Sequence, residues 1–233
     1  FIGRYMGTYD AGWDAIRSAR RHRAEALGVI LPDVEMVGMP TTGDWQALDA
    51  DQQRYEAKRM AVYAGMVEAM DHHIGRLVAY LKSQGQFDNT IFIFTSDNGA
   101  EASGSADPDD FITSRQMSAL GYNNDYETLG LKGSYNTISP SFASAAVSPL
   151  AYYKFYAGEG GMRVPLIVAG ESLLQRGVLT DAFTFVTDIT PTILSFARVQ
   201  PPDGRYGGRP VEVMIGRDLT PVLVGNAERV YGA

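Results

Sequence analysis

From about Asp51 to Ser83 the chain repeats apolar residues at three- and four-residue spacing, with Ala57, Met60, Ala61, Ala64, Val67, Ile74, Leu77, Val78 and Leu81 on one stripe. That period predicts one long amphipathic helix, begun by Asp49 and Gln52 as a capping pair and stopped near Gly85. Directly after Asp88 and Asn89 comes Thr90-Ile91-Phe92-Ile93-Phe94-Thr95, apolar on both faces and rich in β-branched and aromatic residues, which suits a central parallel strand. Val164-Pro165-Leu166-Ile167-Val168-Ala169 reads as a second buried strand with Pro165 confined to its beginning. Thr190-Pro191 opens a helix through Ala197, with Thr190 as its N-cap.

Helix, strand, long loop, strand and helix in that order predict an α/β fold, a mostly parallel central sheet flanked by helices. No internal repeat or linker divides residues 1–233, so they read as one domain or a large part of one. A shorter helix is expected over Asp14 to Leu27, with Trp13, Ile16, Ala19 and Leu27 apolar. Arg17, Arg20, Arg21 and Arg23 form a solvated basic face, and Gly28 stops the helix. Val29 to Trp45 has no sustained period and reads as a connection. Glu101 to Ala151, rich in Ser, Asn, Gly and Tyr, reads as a long loop over the mouth of a site.

Charge and composition remove several classes. A net charge of −7 argues against nucleic acid as the main partner. No apolar run reaches the roughly 20 residues of a membrane span, and Phe1 to Tyr9 carry no secretory signal pattern. The absence of cysteine excludes disulfides, thiolate metal sites and a cysteine nucleophile within the sequence, and leaves periplasm and cytoplasm open. Oligomeric state is not legible.

In open α/β sheets ligands collect beyond the carboxyl ends of strands. Here the stronger strand ends in Ser96-Asp97-Asn98-Gly99. Asp97 and Asn98 offer hard oxygens of the kind Ca²⁺ and Mg²⁺ take, although a hard cation needs about six. The same three residues, Asp97-Asn98-Gly99, equally suit a plain strand-ending turn. The second cluster runs from Tyr153-Lys154-Phe155-Tyr156 through Gly158-Glu159-Gly160-Gly161-Met162-Arg163 into the second strand. Lys154 reads either as a surface lysine or as a point charge for a sulfate or phosphate oxygen, and Glu159 with Arg163 as a structural ion pair.

Taken together and in order, these segments resemble the sulfatase family of the alkaline phosphatase superfamily, in particular the bacterial arylsulfatases. The likeness rests on Tyr63-Ala64-Gly65-Met66-Val67-Glu68-Ala69-Met70-Asp71 with Ile74-Gly75-Arg76, then Asp88-Asn89-Thr90, Ser96-Asp97-Asn98-Gly99-Ala100-Glu101 and Gly158 to Pro165. Asp181 and Asp188-Ile189-Thr190-Pro191-Thr192-Ile193-Leu194 follow. The resemblance implies an alkaline-phosphatase-like fold that is incomplete in this chain, with Asp97 and Asn98 as calcium ligands and Lys154 as the lysine that touches the substrate sulfate. Lys132 competes for that role with a poorer spacing, and Glu159, Gly160, Gly161 and Arg163 correspond to loop architecture. The substrate it implies is a small-molecule or sugar sulfate ester.

The family's nucleophile is a formylglycine made from cysteine in a Cys-x-Pro/Ala-Ser-Arg motif. That motif, the paired N-terminal aspartates, the catalytic histidines and a second lysine have no counterpart here, and His22, His72 and His73 do not match those histidines. The expectation is therefore a partial catalytic domain, with the nucleophile-bearing part lying upstream, the smaller C-terminal sheet unfinished, and no turnover by the chain alone. Three other readings stand beside it: a phosphodiesterase or phosphonate hydrolase of the superfamily, a non-catalytic binder of sulfated sugars, and a structural α/β module.

Overall fold

The computed structural model describes residues 1–103, 113–171, 173 and 177–232. Its elements are helix α1 (Gly12–Ala26), helix α2 (Ala50–Ser83), strand β1 (Ile91–Thr95), helix α3 (Thr113–Ala119), helix α4 (Pro140–Val147), the single turn α5 (Glu159–Met162), strand β2 (Leu166–Gly170), helix α6 (Ile189–Ala197), the short strands β3 (Arg205–Tyr206) and β4 (Arg209–Pro210), and the turn α7 (Thr220–Leu223). They form two compact units: Phe1–Tyr80 with Thr95–Leu166, and Leu81–Phe94 with Ile167–Ala233.

The first unit is built on α1, α2 and α4. Asp49 Oδ1 accepts from the Gln52 amide (2.9 Å) while Gln52 Oε1 accepts from the Asp49 amide (3.0 Å), so two otherwise orphaned donors at the start of α2 are satisfied reciprocally. Trp13 on α1, Trp45 before α2 and Phe142 on α4 meet edge to face, with centroids 4.8 Å apart for Trp13–Trp45 and 5.6 Å for Trp13–Phe142. Such contacts add about 0.5–1.5 kcal/mol per pair beyond the area they bury. Met60, Ala61 and Ala57 of α2 close the same core against Ala143 and Ala145. Trp13 Nε1 donates to the Gly43 carbonyl (2.9 Å), and the Gly43 amide donates to Ser141 Oγ (2.9 Å), which ties the connection after α1 to α4.

Three expectations change here. Arg17 is not part of a solvated face: it is buried, its Nε donating to Ser148 Oγ (3.1 Å) and Nη2 to the Val37 carbonyl (2.6 Å). It lies four residues from Trp13, hence on the same side of the helix. Arg20 and Arg23 are exposed as expected. The stretch from Glu101 to Ala151 is not one irregular loop, because α3 and α4 interrupt it and α4 is buried through Ser141–Ala145. Residues 104–112 of that stretch lie outside the described residues. The apolar stripe of α2 is covered only in its first half: Met60, Ala61 and Val62 are buried, while Val67, Ile74 and Leu77 are exposed.

In the second unit β1 lies beside β2 in a two-stranded sheet, and β3 pairs with β4 antiparallel. The sheet among the described residues is thus narrower than the central sheet expected, and β1, read as buried on both faces, is half-buried to exposed. An apolar run records a demand for burial but does not count its neighbours. Pro165 directly precedes β2, where its missing donor costs no ladder bond.

The helix read from Thr190 begins at Ile189, with Asp188 in the N-cap position. Asp188 is fully buried, and its carboxylate turns away from the helix to accept from the Phe185 amide (2.7 Å), the Arg217 amide (2.7 Å) and the Tyr231 hydroxyl (2.6 Å). Thr192 Oγ1 donates to the Asp188 carbonyl (2.6 Å) and accepts from the Leu219 amide (2.8 Å), so one acidic residue and one threonine fasten three segments. No helix among the described residues is long and apolar enough to cross a membrane.

The Tyr231 bond has a pH signature. Donation to the Asp188 carboxylate, then burial, raise the Tyr231 hydroxyl above its ordinary value near 10.0. A proton held more tightly in the folded state contributes stability below the unfolded value and loses it as pH rises through the folded one. Urea titrations at stepped pH should show stability falling above about pH 10, and Tyr231→Phe should flatten that component. An alkaline edge of the same size in the variant would refute the assignment.

Candidate functional site

Strand β1 ends by delivering Ser96-Asp97-Asn98-Gly99-Ala100 as a turn, closed locally where Ser96 Oγ donates to the Asn98 carbonyl (2.7 Å). Asp97 is exposed and Asn98 half-buried. Among the described residues nothing hydrogen-bonds to the Asp97 carboxylate. The turn reading is therefore correct as local structure, and it leaves the acidic side chain uncommitted.

Directly against this turn lies the lysine loop, and main-chain bonds join the two. The Lys154 amide donates to the Ala100 carbonyl (3.0 Å) and the Gly99 amide to the Gly161 carbonyl (2.9 Å). The approach depends on three glycines. A Cβ on Gly99 would stand 1.8 Å from Gly160 O, one on Gly160 2.0 Å from Tyr152 O, and one on Gly161 2.2 Å from Tyr156 O. All three obstacles are backbone and cannot step aside, so a larger residue at Gly99 would push the two loops apart and one at Gly160 or Gly161 would break the lysine loop's own fold, at an overpacking cost of about 1–3 kcal/mol or more. The glycine-rich stretch is the single helical turn α5, with Gly160 and Gly161 buried and the expected Glu159–Arg163 ion pair at 3.1 Å on its exposed side.

The residue before the lysine is anchored, and the one after it lies beside the ammonium. Tyr153 donates to Thr41 Oγ1 (2.7 Å), and burial raises the Tyr153 hydroxyl above its ordinary range. Lys154 Nζ stands 5.4 Å from the Phe155 ring centroid. Lys132 is exposed in the Leu131–Ser134 turn, closed by the Ser134 amide on the Leu131 carbonyl (3.0 Å). His22, His72 and His73 are exposed.

Two neighbours escaped the sequence reading. Glu101 follows Ala100 and its Oε1 accepts from the Ser103 amide (2.8 Å) and hydroxyl (2.5 Å). Tyr135 has its hydroxyl raised first by burial and then by the Glu101 charge, which places phenol and carboxylate near one another. Glu101 closes the Ser96-to-Glu101 segment of the resemblance, which gives it no role, and Tyr135 carries no motif signal.

The donor chemistry around Asp97 and Asn98 fits a hard cation, with one exposed carboxylate and one amide oxygen on a turn fixed by its neighbour loop. It fits as part of a shell only. Among the described residues no group of three His, Cys, Asp or Glu side chains gathers that could hold a metal.

A family model described as Sulfatase matches residues 7–199. An uncharacterized sulfatase of Schizosaccharomyces pombe is 37% identical over 221 residues, covering 93% of this chain and 39% of that protein. An arylsulfatase of Klebsiella aerogenes is 31% identical over 223 residues, covering 95% of this chain and 47% of its own length. A multifunctional alkaline phosphatase superfamily protein, PehA of Trinickia caryophylli, is 28% identical over 165 residues, or 70% of this chain and 22% of that protein. The chain spans less than half the length of each of these relatives. The family match runs through β1, the Asp97 turn, the Lys154 loop and all of α6, and on that breadth the chain belongs to the sulfatase family.

Proposed function

We propose that this chain supplies the cation-ligating turn and the sulfate-binding lysine of a hydrolase for sulfate monoesters, of the arylsulfatase type. Asp97 and Asn98 give oxygens to a calcium ion, and the Lys154 ammonium meets a non-bridging or bridging sulfate oxygen. The observation that carries this reading is the pair of main-chain bonds, Lys154 to Ala100 and Gly99 to Gly161, which fix the cationic loop on the carboxylate turn. When bound, calcium acts as a Lewis acid toward sulfate oxygens. The chain's own contribution is to anchor the Lys154 main chain on the turn, so that only side-chain rotation brings its ammonium to developing negative charge. Small-molecule and sugar sulfate esters are the substrates in view.

No residue of the chain corresponds to a formylglycine nucleophile, so the chain alone should bind and not turn over. In calcium, chemical-shift titration with inorganic sulfate should perturb the Gly99 and Gly161 amides. Lys154→Met should weaken the affinity about 10- to 100-fold, the scale of a lost charge-assisted hydrogen bond, and Asp97→Ala should remove the calcium dependence. Sulfate binding indifferent to both substitutions, or hydrolysis of an aryl sulfate by the chain itself, would overturn the proposal.

A second reading is a phosphodiester or phosphonate hydrolase of the same superfamily, and one relative is named a multifunctional protein of that superfamily. Phosphate or a phosphodiester displacing sulfate from the Lys154 loop at lower concentration than sulfate itself would favour that reading.

A further inference from the structure

The backbone around Lys154 holds two bulky residues in a conformation that glycine usually takes. The Tyr156 amide closes a turn on the Tyr153 carbonyl (3.2 Å), with Lys154 and Phe155 as its two central residues. Phe155 has φ +83° and Tyr152 φ +64°, in the left-handed region. A positive φ at the third residue of a turn is the type II arrangement, where glycine is usual because a Cβ is disfavoured. A bulky aromatic in that conformation is a genuine outlier. Strain of this kind persists when something else over-determines the conformation, and it concentrates at ligand sites.

Here burial does not compensate for it. The Phe155 side chain is 71% exposed, although the turn beneath it is firmly held by Tyr153 on Thr41, by the Gly160 amide on the Ala151 carbonyl (2.7 Å), and by ring contacts of Tyr156 with Tyr152 (4.9 Å) and Tyr153 (5.4 Å). What the strain achieves is placement: an apolar ring presented to solvent 5.4 Å from the Lys154 ammonium. A sulfate held by that ammonium has its organic group one ester oxygen away, within the span of the ring.

We infer that Phe155 is a specificity-determining residue, a stacking platform for the organic part of a sulfate ester bound at Lys154, selecting planar aromatic leaving groups over small alkyl ones. This inference rests on the sulfate-binding reading of Lys154 and deepens it. Aromatic stacking of this kind corresponds to about a 3- to 10-fold preference.

The test compares two probes, 4-nitrophenyl sulfate and methyl sulfate, titrated in calcium into the 233-residue chain and its variants with the Gly99 and Gly161 amide shifts as readout. The chain should prefer the aryl ester. Phe155→Gly should abolish the preference, leave methyl sulfate affinity unchanged, and keep or raise Tm, since glycine takes the positive φ without strain. Phe155→Trp should keep the preference. If Phe155→Gly weakens both esters equally, the ring merely steadies the ammonium and the inference falls while the sulfate site stands. If it weakens neither, the inference also falls. If the unaltered chain binds neither ester, the reading of Lys154 fails and takes the inference with it.

Discussion

Asp188→Ala should destabilise the second unit by about 3–5 kcal/mol, on the scale of lost charge-assisted hydrogen bonds and unsatisfied buried donors. Three donors converge on this carboxylate, from Phe185, Arg217 and Tyr231, and two of them are backbone amides that cannot turn elsewhere. The charge itself is fully buried, so in the native state those donors are its solvation. Asp188→Asn should recover only part of the loss, because one end of an amide is a donor and must confront another donor. Urea unfolding with amide exchange at Phe185, Arg217 and Leu219 would measure the effect. A loss under about 1 kcal/mol for Asp188→Ala would mean that the three segments are held by apolar packing and that the bonds are incidental.

The same residue shows how far the sequence could be read. Thr190-Pro191 is a sound helix-start signal, and a helix is there, yet it begins at Ile189, with Asp188 bound to the Arg217 amide and the Tyr231 hydroxyl of distant segments that no local pattern announces. Long periodic elements were legible: α2 runs Ala50–Ser83 with the capping pair in place. α4 was not, since a buried helix of eight small and apolar residues has no polar face and hence no period. Arg17 was misassigned by residue type although its four-residue spacing from Trp13 was visible. At the site, the residue types of Asp97, Asn98 and Lys154 were readable, and the glycines at 99, 160 and 161 were the only trace of the close approach between their loops. The bonds that join those loops are main-chain bonds, which carry no residue identity, and the positive φ of Phe155 lacks the glycine that would have signalled it.

Glu56→Ala should cost the first unit about 3–5 kcal/mol, the usual penalty for stranding one partner of a buried ion pair. Glu56 is 0% and Arg59 4% exposed, and Arg59 Nη1 donates to Glu56 Oε1 at 2.6 Å. Arg59 also reaches across to the segment before α4, with Nε on the Thr137 carbonyl (2.7 Å) and Nη2 on Thr137 Oγ1. Asn136 Nδ2 returns a bond to the Arg59 carbonyl (3.1 Å). Removing the carboxylate therefore leaves a buried guanidinium whose charge Glu56 no longer meets, against the stretch that leads into α4. The pair is not thereby proved stabilising. Glu56 Oε2 has no partner among the described residues, and desolvation of two charges offsets much of their attraction. The discriminating measurement is a double-mutant cycle by urea unfolding with Glu56→Leu and Arg59→Met. Each single substitution should be costly, and the double should lose clearly less than their sum, because Leu beside Met strands no charge. Additive losses would show that the two residues act independently and that the pair itself carries no coupling.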